Sequence, residues 1–241
     1  IEGAPTPAAA FFAVSSNVAS IAFAIRLSVH LFSSRVDGGW SPLIGFAWPD
    51  LLAGIAAATI TLGNLTAIAQ GNLKRLLGYS CIAQIGYILM GLVVVNHSGI
   101  SAVLFSLAAY SIMTLGAFFA IQLVTDECGS ERIETLRGLI WRRPFEGAAL
   151  CIFLLGLAGM PPIVGFVGKF YLLGVIVKDK IYWLAVVAVV NWVIALTYYL
   201  TMMRQIFAQG GEKYSEDKST GNRTLISRVA LTVLLIPTVY L

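Results

Sequence analysis

Residues 157–171 read LAGMPPIVGFVGKFY, and no other stretch constrains the architecture as strongly. It belongs to an apolar run of membrane-spanning length, yet it contains two consecutive prolines, Pro161 and Pro162, and then a lysine, Lys169. A proline lacks the backbone N–H and clashes with the preceding turn, so an α-helix cannot pass through this pair undisturbed. The sequence therefore predicts one discontinuous helix, with its break near Pro161-Pro162.

The length of this segment supports the break. Residues 147–177 make 31 positions, whereas a straight span needs roughly 20. The excess fits two half-helices joined by an unwound link, which is an arrangement that transporters use at ion sites. Irregular backbone at membrane depth persists only where protein or a water-filled cavity surrounds it.

Lys169 follows the break, and eight uncharged residues separate it from Lys178. An ammonium group near the bilayer centre costs about 2.5–3.5 kcal/mol on insertion scales, so it is expected to face water or a polar partner. Such a lysine can act as a proton carrier, because burial disfavours its charged form and an approaching anion favours it. The alternative is a lysine that snorkels from its helix end to the outer interface.

The composition of the whole chain also indicates a membrane protein. Of 241 residues, 58% are hydrophobic and only 12% are charged, and the mean hydropathy is +0.84. These values do not describe a soluble domain. We predict an all-α, polytopic transmembrane bundle that forms a single domain over residues 1–241. Windows of about 20 apolar residues predict about seven spans, at 8–32, 51–70, 76–95, 101–124, 148–177, 181–203 and 226–241.

The positive charges indicate the orientation of these spans. Ten lysines and arginines lie on the side that holds segments 71–75, 125–147 and 204–225, whereas the opposite side holds three. The first side is therefore expected to be cytoplasmic, or its organellar equivalent. Because Ile1 is no initiator and the chain stops inside an apolar run, we expect it to be part of a longer membrane protein.

The sequence offers little for a metal or a cofactor. Cys81, Cys128 and Cys151 stand far apart, and His30 and His97 are the two histidines. A zinc, haem or iron–sulfur site is therefore not expected. No flavin or nicotinamide motif occurs, and no basic face interleaved with aromatic residues suggests nucleic acid as a partner.

Polar residues recur inside the apolar spans, among them Asn17, Tyr79, Gln84 and Tyr110. Each one alone is typical of an interhelical hydrogen bond. Together they could hold a file of water that passes protons between ionisable groups.

Three stretches together resemble the antiporter-like membrane subunits of respiratory complex I, and most closely the subunit N branch of that family. They are EGAPTP at 2–7, the region from Gly63 to Tyr87 that contains NLKRLLGYS at 72–80, and the stretch at 157–171. The sister subunits and the cation/proton antiporters typically have a His-containing loop where this chain has Glu2-Gly3, and some carry Glu in place of Lys169.

The resemblance implies that the chain is the C-terminal half of a subunit built from two inverted five-helix repeats. Residues 8–32 would be the last helix of the first repeat, 51–203 the second repeat, and 226–241 the start of a final helix. The break would match the family's discontinuous helix, and Lys169 its ionisable residue on the outward half-path. Tyr79, Gln84 and Asn17 would line the hydrophilic axis, and we predict that they form a proton path together with Lys169 and Tyr110.

At two positions the chain departs from the family pattern. Asn17 stands where the family usually has a lysine, and Gln84 stands where it often has a histidine. Neither amide can hold a proton near neutral pH. Either water carries protons past Asn17, or coupling between the two halves is weakened in this member.

By this resemblance, the chain is expected to be a proton-translocating subunit of a NADH-quinone oxidoreductase in a bacterial inner membrane. Mitochondrial inner and thylakoid membranes are alternative locations. NADH, flavin, iron–sulfur clusters and quinone would belong to partner subunits, with no redox centre in this chain. The alternatives are a subunit of a cation/proton antiporter or of a membrane-bound hydrogenase-type complex, and a scaffold that has lost transport.

Overall fold

A computed structural model describes residues 6–30, 33–36, 39–42, 48–94, 96–209 and 221–240. The Glu2-Gly3 motif lies outside these residues. The helices of the described part are α1 (Thr6–His30), α2 (Trp48–Ile68), α3 (Leu73–Val93), α4 (His97–Cys128), α5 (Leu139–Arg142), α6 (Pro144–Ala158), α7 (Val164–Lys178), α8 (Tyr182–Phe207) and α9 (Gly221–Tyr240).

The predicted all-α class is confirmed, and so is the discontinuous helix, because the single apolar segment at 148–177 forms the two helices α6 and α7. One small element was not predicted. Strands β1 (Ser33–Val36) and β2 (Gly39–Pro42) pair antiparallel between α1 and α2, with Ser33 opposite Pro42.

Several helices have the length and composition of membrane spans. Within the described residues, five helices are long and apolar enough to cross a membrane, namely α1, α2, α3, α4 and α8. Helix α6 and the 228–239 part of α9 are apolar but shorter. The short length of α6 is expected, because α6 and α7 are the two halves of one discontinuous span.

The centre of the bundle is formed by α3, α4 and α6, whose side chains are mostly buried. Helices α1, α2 and α8 keep large apolar side chains exposed, for example Phe11, Leu62 and Val186. Glycine allows α2 and α3 to approach closely, because a Cβ at Gly63 would lie only 2.6 Å from the Ala83 nitrogen. Small residues at such crossings are typical of helix packing in membranes.

A compact joint ties the start of α3 to the segment that follows α4. The Leu73 N–H donates to Glu131 O at 2.8 Å, and the Ile133 N–H donates to Gly71 O at 3.1 Å. Asn72 caps α3, because its Oδ1 accepts from the Lys74 N–H at 2.9 Å. Capping satisfies backbone donors that the first helical turn leaves free.

Lys74 takes part in this joint through its side chain. It is only 6% exposed and forms an ion pair with Glu131, whose other oxygen accepts from Asn72 Nδ2 at 3.1 Å. The hydrogen bond from Lys74 lowers the pKa of Glu131 below its ordinary value. The charge pattern identifies Lys74 only as a marker of topology. In the structure, it also links the turn before α3 to the segment that follows α4.

The pairing of Glu131 predicts an acid-dependent loss of stability. A carboxylate whose pKa is depressed by folding stabilises the fold above its unfolded pKa, and this contribution is lost as the pH falls through the folded pKa. Replacing Glu131 with Gln should lower stability at neutral pH by about 1 kcal/mol. The difference from the parent should shrink as the pH drops below the usual glutamate range.

Thermal melting of the purified full-length protein across a pH series measures this difference. Glu134→Gln is the matched control, since Glu134 is exposed in the adjoining 3₁₀ turn, Ile133–Leu136. A gap between Glu131→Gln and parent that stays constant with pH would contradict the pairing as the cause.

Candidate functional site

The break between α6 and α7 releases two backbone carbonyls. In a continuous helix, Leu157 O and Ala158 O would accept from the nitrogens of residues 161 and 162, but both of those residues are prolines and have no N–H. Helix α6 instead ends at Gly159, which takes the left-handed conformation with φ +77°. Its N–H donates to Leu155 O and Gly156 O, and that of Met160 donates to Leu155 O, so Leu157 O and Ala158 O receive no backbone N–H.

Side chains from three other helices donate to these two carbonyls. Gln84 Nε2 of α3 donates to Leu157 O at 2.9 Å. Lys169 Nζ of α7 donates to Leu157 O at 2.8 Å and to Ala158 O at the longer distance of 3.4 Å. Trp192 Nε1 of α8 donates to Ala158 O at 2.6 Å. Each proline thus leaves one carbonyl without a backbone donor, and side chains of other helices donate to that carbonyl instead.

Lys169 lies inside the bundle. It is 6% exposed, and its ammonium nitrogen is 5.1 Å from the centre of the Tyr87 ring and 5.6 Å from that of the Trp192 ring. Aromatic faces and carbonyl oxygens both favour a cation. The snorkelling alternative requires the side chain to reach the outer interface, whereas here it turns back to the end of α6.

Tight helix packing brings Lys169 to the break. A Cβ at Gly165, on the first turn of α7, would collide with Gly156 O and lie 2.7 Å from the Gly156 carbonyl carbon. On the α4 side, Ser106 Oγ donates to Gly168 O at 3.1 Å. Because α7 lies directly against the backbone of α6, the Lys169 side chain can reach Leu157 O.

A small cavity of about 20 Å³ adjoins the lysine. This volume holds about one water molecule, provided that polar groups surround it. The polar side chains in its lining are Gln84, Tyr87, Ser106, Tyr110 and Lys169. The site therefore combines a buried cation, hydroxyl and amide groups, and room for a proton-carrying solvent molecule.

Tyr110 connects this cavity to α1. Its hydroxyl oxygen accepts from Asn17 Nδ2 at 3.0 Å, and the residue is buried. The structure thus brings together four of the five residues that the sequence suggested for a proton path. Lys169, Gln84 and Tyr110 line the cavity, and Asn17 joins through Tyr110. Tyr79 is half-buried on α3 and is not part of the lining.

Trp192 was missed as a site residue, because a tryptophan inside an apolar helix is typical of packing. Its partner Ala158 lies 34 positions away, and no local sequence pattern predicts a contact between them. Tyr87 is a polar residue within the predicted span at 76–95. It could have been suggested by its spacing of three from Gln84, which puts both on one face of α3.

A second polar cluster joins α2 to α8. Asn64 Nδ2 donates to Asn191 O at 3.2 Å and faces Asn191 Oδ1 at 3.3 Å, while the Tyr198 hydroxyl donates to Asn64 Oδ1 at 3.1 Å. Asn191 Nδ2 also donates to Thr61 Oγ1 at 3.1 Å. All of these groups are neutral, as expected for interhelical hydrogen bonds between spans.

The described residues contain no group of three or more His, Cys, Asp or Glu side chains that could hold a metal ion. Cys81, Cys128 and Cys151 are unpaired thiols. Lys169 is the charged residue in the cavity lining, and an amine can hold or release a proton.

Fold and site together define a polytopic helical membrane protein with an ionisable residue at a broken span. The chain belongs to the family described as NADH:quinone oxidoreductase/Mrp antiporter, TM, whose family model matches residues 1–195.

Relatives and a solved structure agree with this assignment. The chain is 45% identical over 221 residues to NADH-quinone oxidoreductase subunit N of Anaeromyxobacter sp. (strain Fw109-5), a match that covers 86% of this chain and 42% of that protein. It is 39% identical to subunit N 2 of Chloroherpeton thalassium, over 99% of this chain and 46% of that protein. The chain thus spans less than half the length of these relatives.

Among solved structures, respiratory complex I from Thermus thermophilus with bound aureothin contains a similar chain. The TM-score is 0.75 at 28% identity, and the match covers 98% of this chain and 49% of that one. The resemblance to antiporter-like subunits of complex I is therefore confirmed at the level of family and fold.

The close approach of Gly165 to Gly156 leads to a test of how the site is assembled. Gly165→Ala should push the half-helices apart and cost about 1–3 kcal/mol, as overpacking typically does. Reduced levels of the folded subunit in the membrane and a lower melting temperature are the expected readouts. Gly174→Ala is the control on the same helix, because a Cβ there meets nothing within 4 Å. Equal behaviour of the two variants would contradict the packing argument.

Proposed function

We propose that the full-length protein is a proton-translocating membrane subunit of a NADH-quinone oxidoreductase, and that Lys169 exchanges a proton within it. The observation that carries this proposal is the buried Lys169 ammonium on carbonyls released by a helix break, beside a cavity with polar walls. A buried lysine is costly in a membrane. Gln84 and Trp192 already give each of the two carbonyls one donor, so the released backbone does not by itself require a lysine here.

The surroundings of Lys169 suit reversible proton exchange. The carbonyl dipoles of Leu157 and Ala158 stabilise the ammonium form, while burial favours the neutral amine. A water molecule in the cavity could receive the proton and pass it to the Tyr110 hydroxyl, which both donates and accepts hydrogen bonds. Because these two influences oppose each other, a modest change in nearby charge or hydrogen bonding can protonate or deprotonate Lys169.

Asn17 would serve this path without carrying charge. Its amide donates to Tyr110 and can orient a water molecule, but it cannot hold a proton near neutral pH. The proton would therefore pass Asn17 through water rather than rest on it. Tyr110 and Gln84 would act as neighbouring hydrogen-bonding groups in the same path.

The redox chemistry would belong to other subunits. NADH oxidation needs a flavin and iron–sulfur clusters, and quinone reduction needs a quinone site, and we assign all of these to partner subunits of the complex. The chain would then be part of a translocase without containing a redox centre. We assign it to the inner membrane of a bacterium, supported by bacterial relatives and by the excess of lysine and arginine on one side.

The family description also covers Mrp antiporters, so a cation/proton antiporter subunit is the competing function. Purification of the native complex distinguishes the oxidoreductase subunit from the antiporter subunit. Copurification with flavin-containing and iron–sulfur proteins supports the oxidoreductase, and an assembly of membrane subunits alone supports the antiporter.

Removal of the Lys169 amine is the central test. Lys169→Ala in the full-length subunit should lower NADH-driven proton pumping several-fold while the complex still assembles, because no group at this position can then hold a proton. Pumping is measured with a pH-sensitive dye in membrane vesicles. Lys178→Ala is the control, since Lys178 is exposed at the end of the same helix. Undiminished pumping in assembled Lys169→Ala complexes contradicts the proposal.

A lysine at position 17 tests whether the path runs past Asn17. Asn17→Lys adds an ionisable group next to Tyr110, so it should increase the proton flux per NADH oxidised if the remaining path is intact. The ratio of protons pumped to NADH oxidised in vesicles is the measurement. Asn17→Gln keeps an amide and should leave the ratio unchanged. A proton flux in Asn17→Lys that is no higher than in Asn17→Gln would contradict a proton path past position 17.

A further inference from the structure

Three donors share the two carbonyls at the helix break, and their distances are unequal. Leu157 O receives Gln84 Nε2 at 2.9 Å and Lys169 Nζ at 2.8 Å. Ala158 O accepts from Trp192 Nε1 at 2.6 Å and, at the longer distance of 3.4 Å, from Lys169 Nζ. Trp192 therefore holds the closer contact with Ala158 O, and the ammonium group bonds mainly to Leu157 O.

The Trp192 side chain is held in place around this bond. A Cβ on Gly159 would lie 3.0 Å from Trp192 Nε1 and 2.9 Å from Lys169 Cδ, so both side chains pack against this glycine. The indole also contacts the Phe166 ring, with the centroids 5.9 Å apart. Gly159 thus provides the space in which indole and lysine reach adjacent carbonyls.

We propose that Trp192 is a positioning residue for proton exchange at Lys169: by donating the shorter hydrogen bond to Ala158 O, it keeps the ammonium group closer to Leu157 O. This inference rests on the proposed role of Lys169. Without the indole N–H, the ammonium group could move closer to Ala158 O and shorten its 3.4 Å hydrogen bond there. A stronger hydrogen bond to the charged form favours that form, so the lysine would retain its proton more tightly.

The other groups around Lys169 do not titrate near neutral pH. Helices α3 and α4 contribute the phenols Tyr87 and Tyr110, whose ordinary pKa is about 10. Helices α6 and α8 contribute backbone carbonyls and the neutral Trp192 indole. Among the described residues that line the cavity, Lys169 is the only charged one, and α9 contributes none. A change in pH dependence near neutrality can therefore be assigned to Lys169.

The test is the pH profile of NADH-driven proton pumping in vesicles that contain the complete complex. Trp192→Phe keeps an aromatic ring and removes the N–H. The pH at which pumping falls to half on the alkaline side should rise by about one unit, a tenfold change in proton affinity. Trp183→Phe is the matched control on α8, because Trp183 is 51% exposed, and its profile should coincide with that of the parent.

A second variant covers the case in which Trp192→Phe does not assemble. Incorporation of 3-benzothienylalanine at position 192 keeps the bicyclic shape and replaces the N–H with sulfur, so packing is maintained. The same upward shift is expected. A profile that matches the parent, or one that moves to lower pH, in an assembled variant overturns the positioning role.

Failure of this inference can be distinguished from failure of the proposed function. If Lys169→Ala abolishes pumping but the Trp192 variants keep the parental profile, only the positioning role fails. If Lys169→Ala pumps normally, the proton-exchange role fails, and the positioning role fails with it. A combined Lys169→Ala and Trp192→Phe variant should show no shift relative to Lys169→Ala alone.

Discussion

The site depends on the two backbone carbonyls that consecutive prolines leave without partners. An unpaired carbonyl at membrane depth costs several kcal/mol, so the fold must supply donors from elsewhere. It does so with an amide, an ammonium group and an indole, which come from α3, α7 and α8. The need to hydrogen-bond these carbonyls therefore brings the polar side chains of the site together.

The prolines also fix where the lysine can lie. Helix α7 begins immediately after the break, and Lys169 stands in its second turn. Contact between Gly165 and the Gly156 backbone keeps the half-helices together, which sets the distance between the ammonium group and Leu157 O. A continuous helix would offer no free carbonyl here, and a looser joint would not hold the ammonium group within hydrogen-bonding distance.

Much of this arrangement could be predicted from the sequence because its signals are local. Apolar runs predicted the spans, and Pro161-Pro162 predicted the break. An isolated lysine beside that break indicated a buried group. Contacts between distant segments could not be predicted in this way. Trp192 with Ala158, and Lys74 with Glu131, join residues whose neighbours in sequence are unremarkable, and only the packing of the helices brings them together.

The joint of Asn64, Asn191 and Tyr198 between α2 and α8 has a consequence for an energised membrane. A transmembrane voltage acts on an elementary charge with about 2.3 kcal/mol per 100 mV across the full thickness. Amides and a phenol carry no formal charge, so the electric field exerts no net force on this joint. A protonated Lys169 does experience that force. Voltage can therefore bias the lysine while the hydrogen-bonded contact between α2 and α8 stays in place.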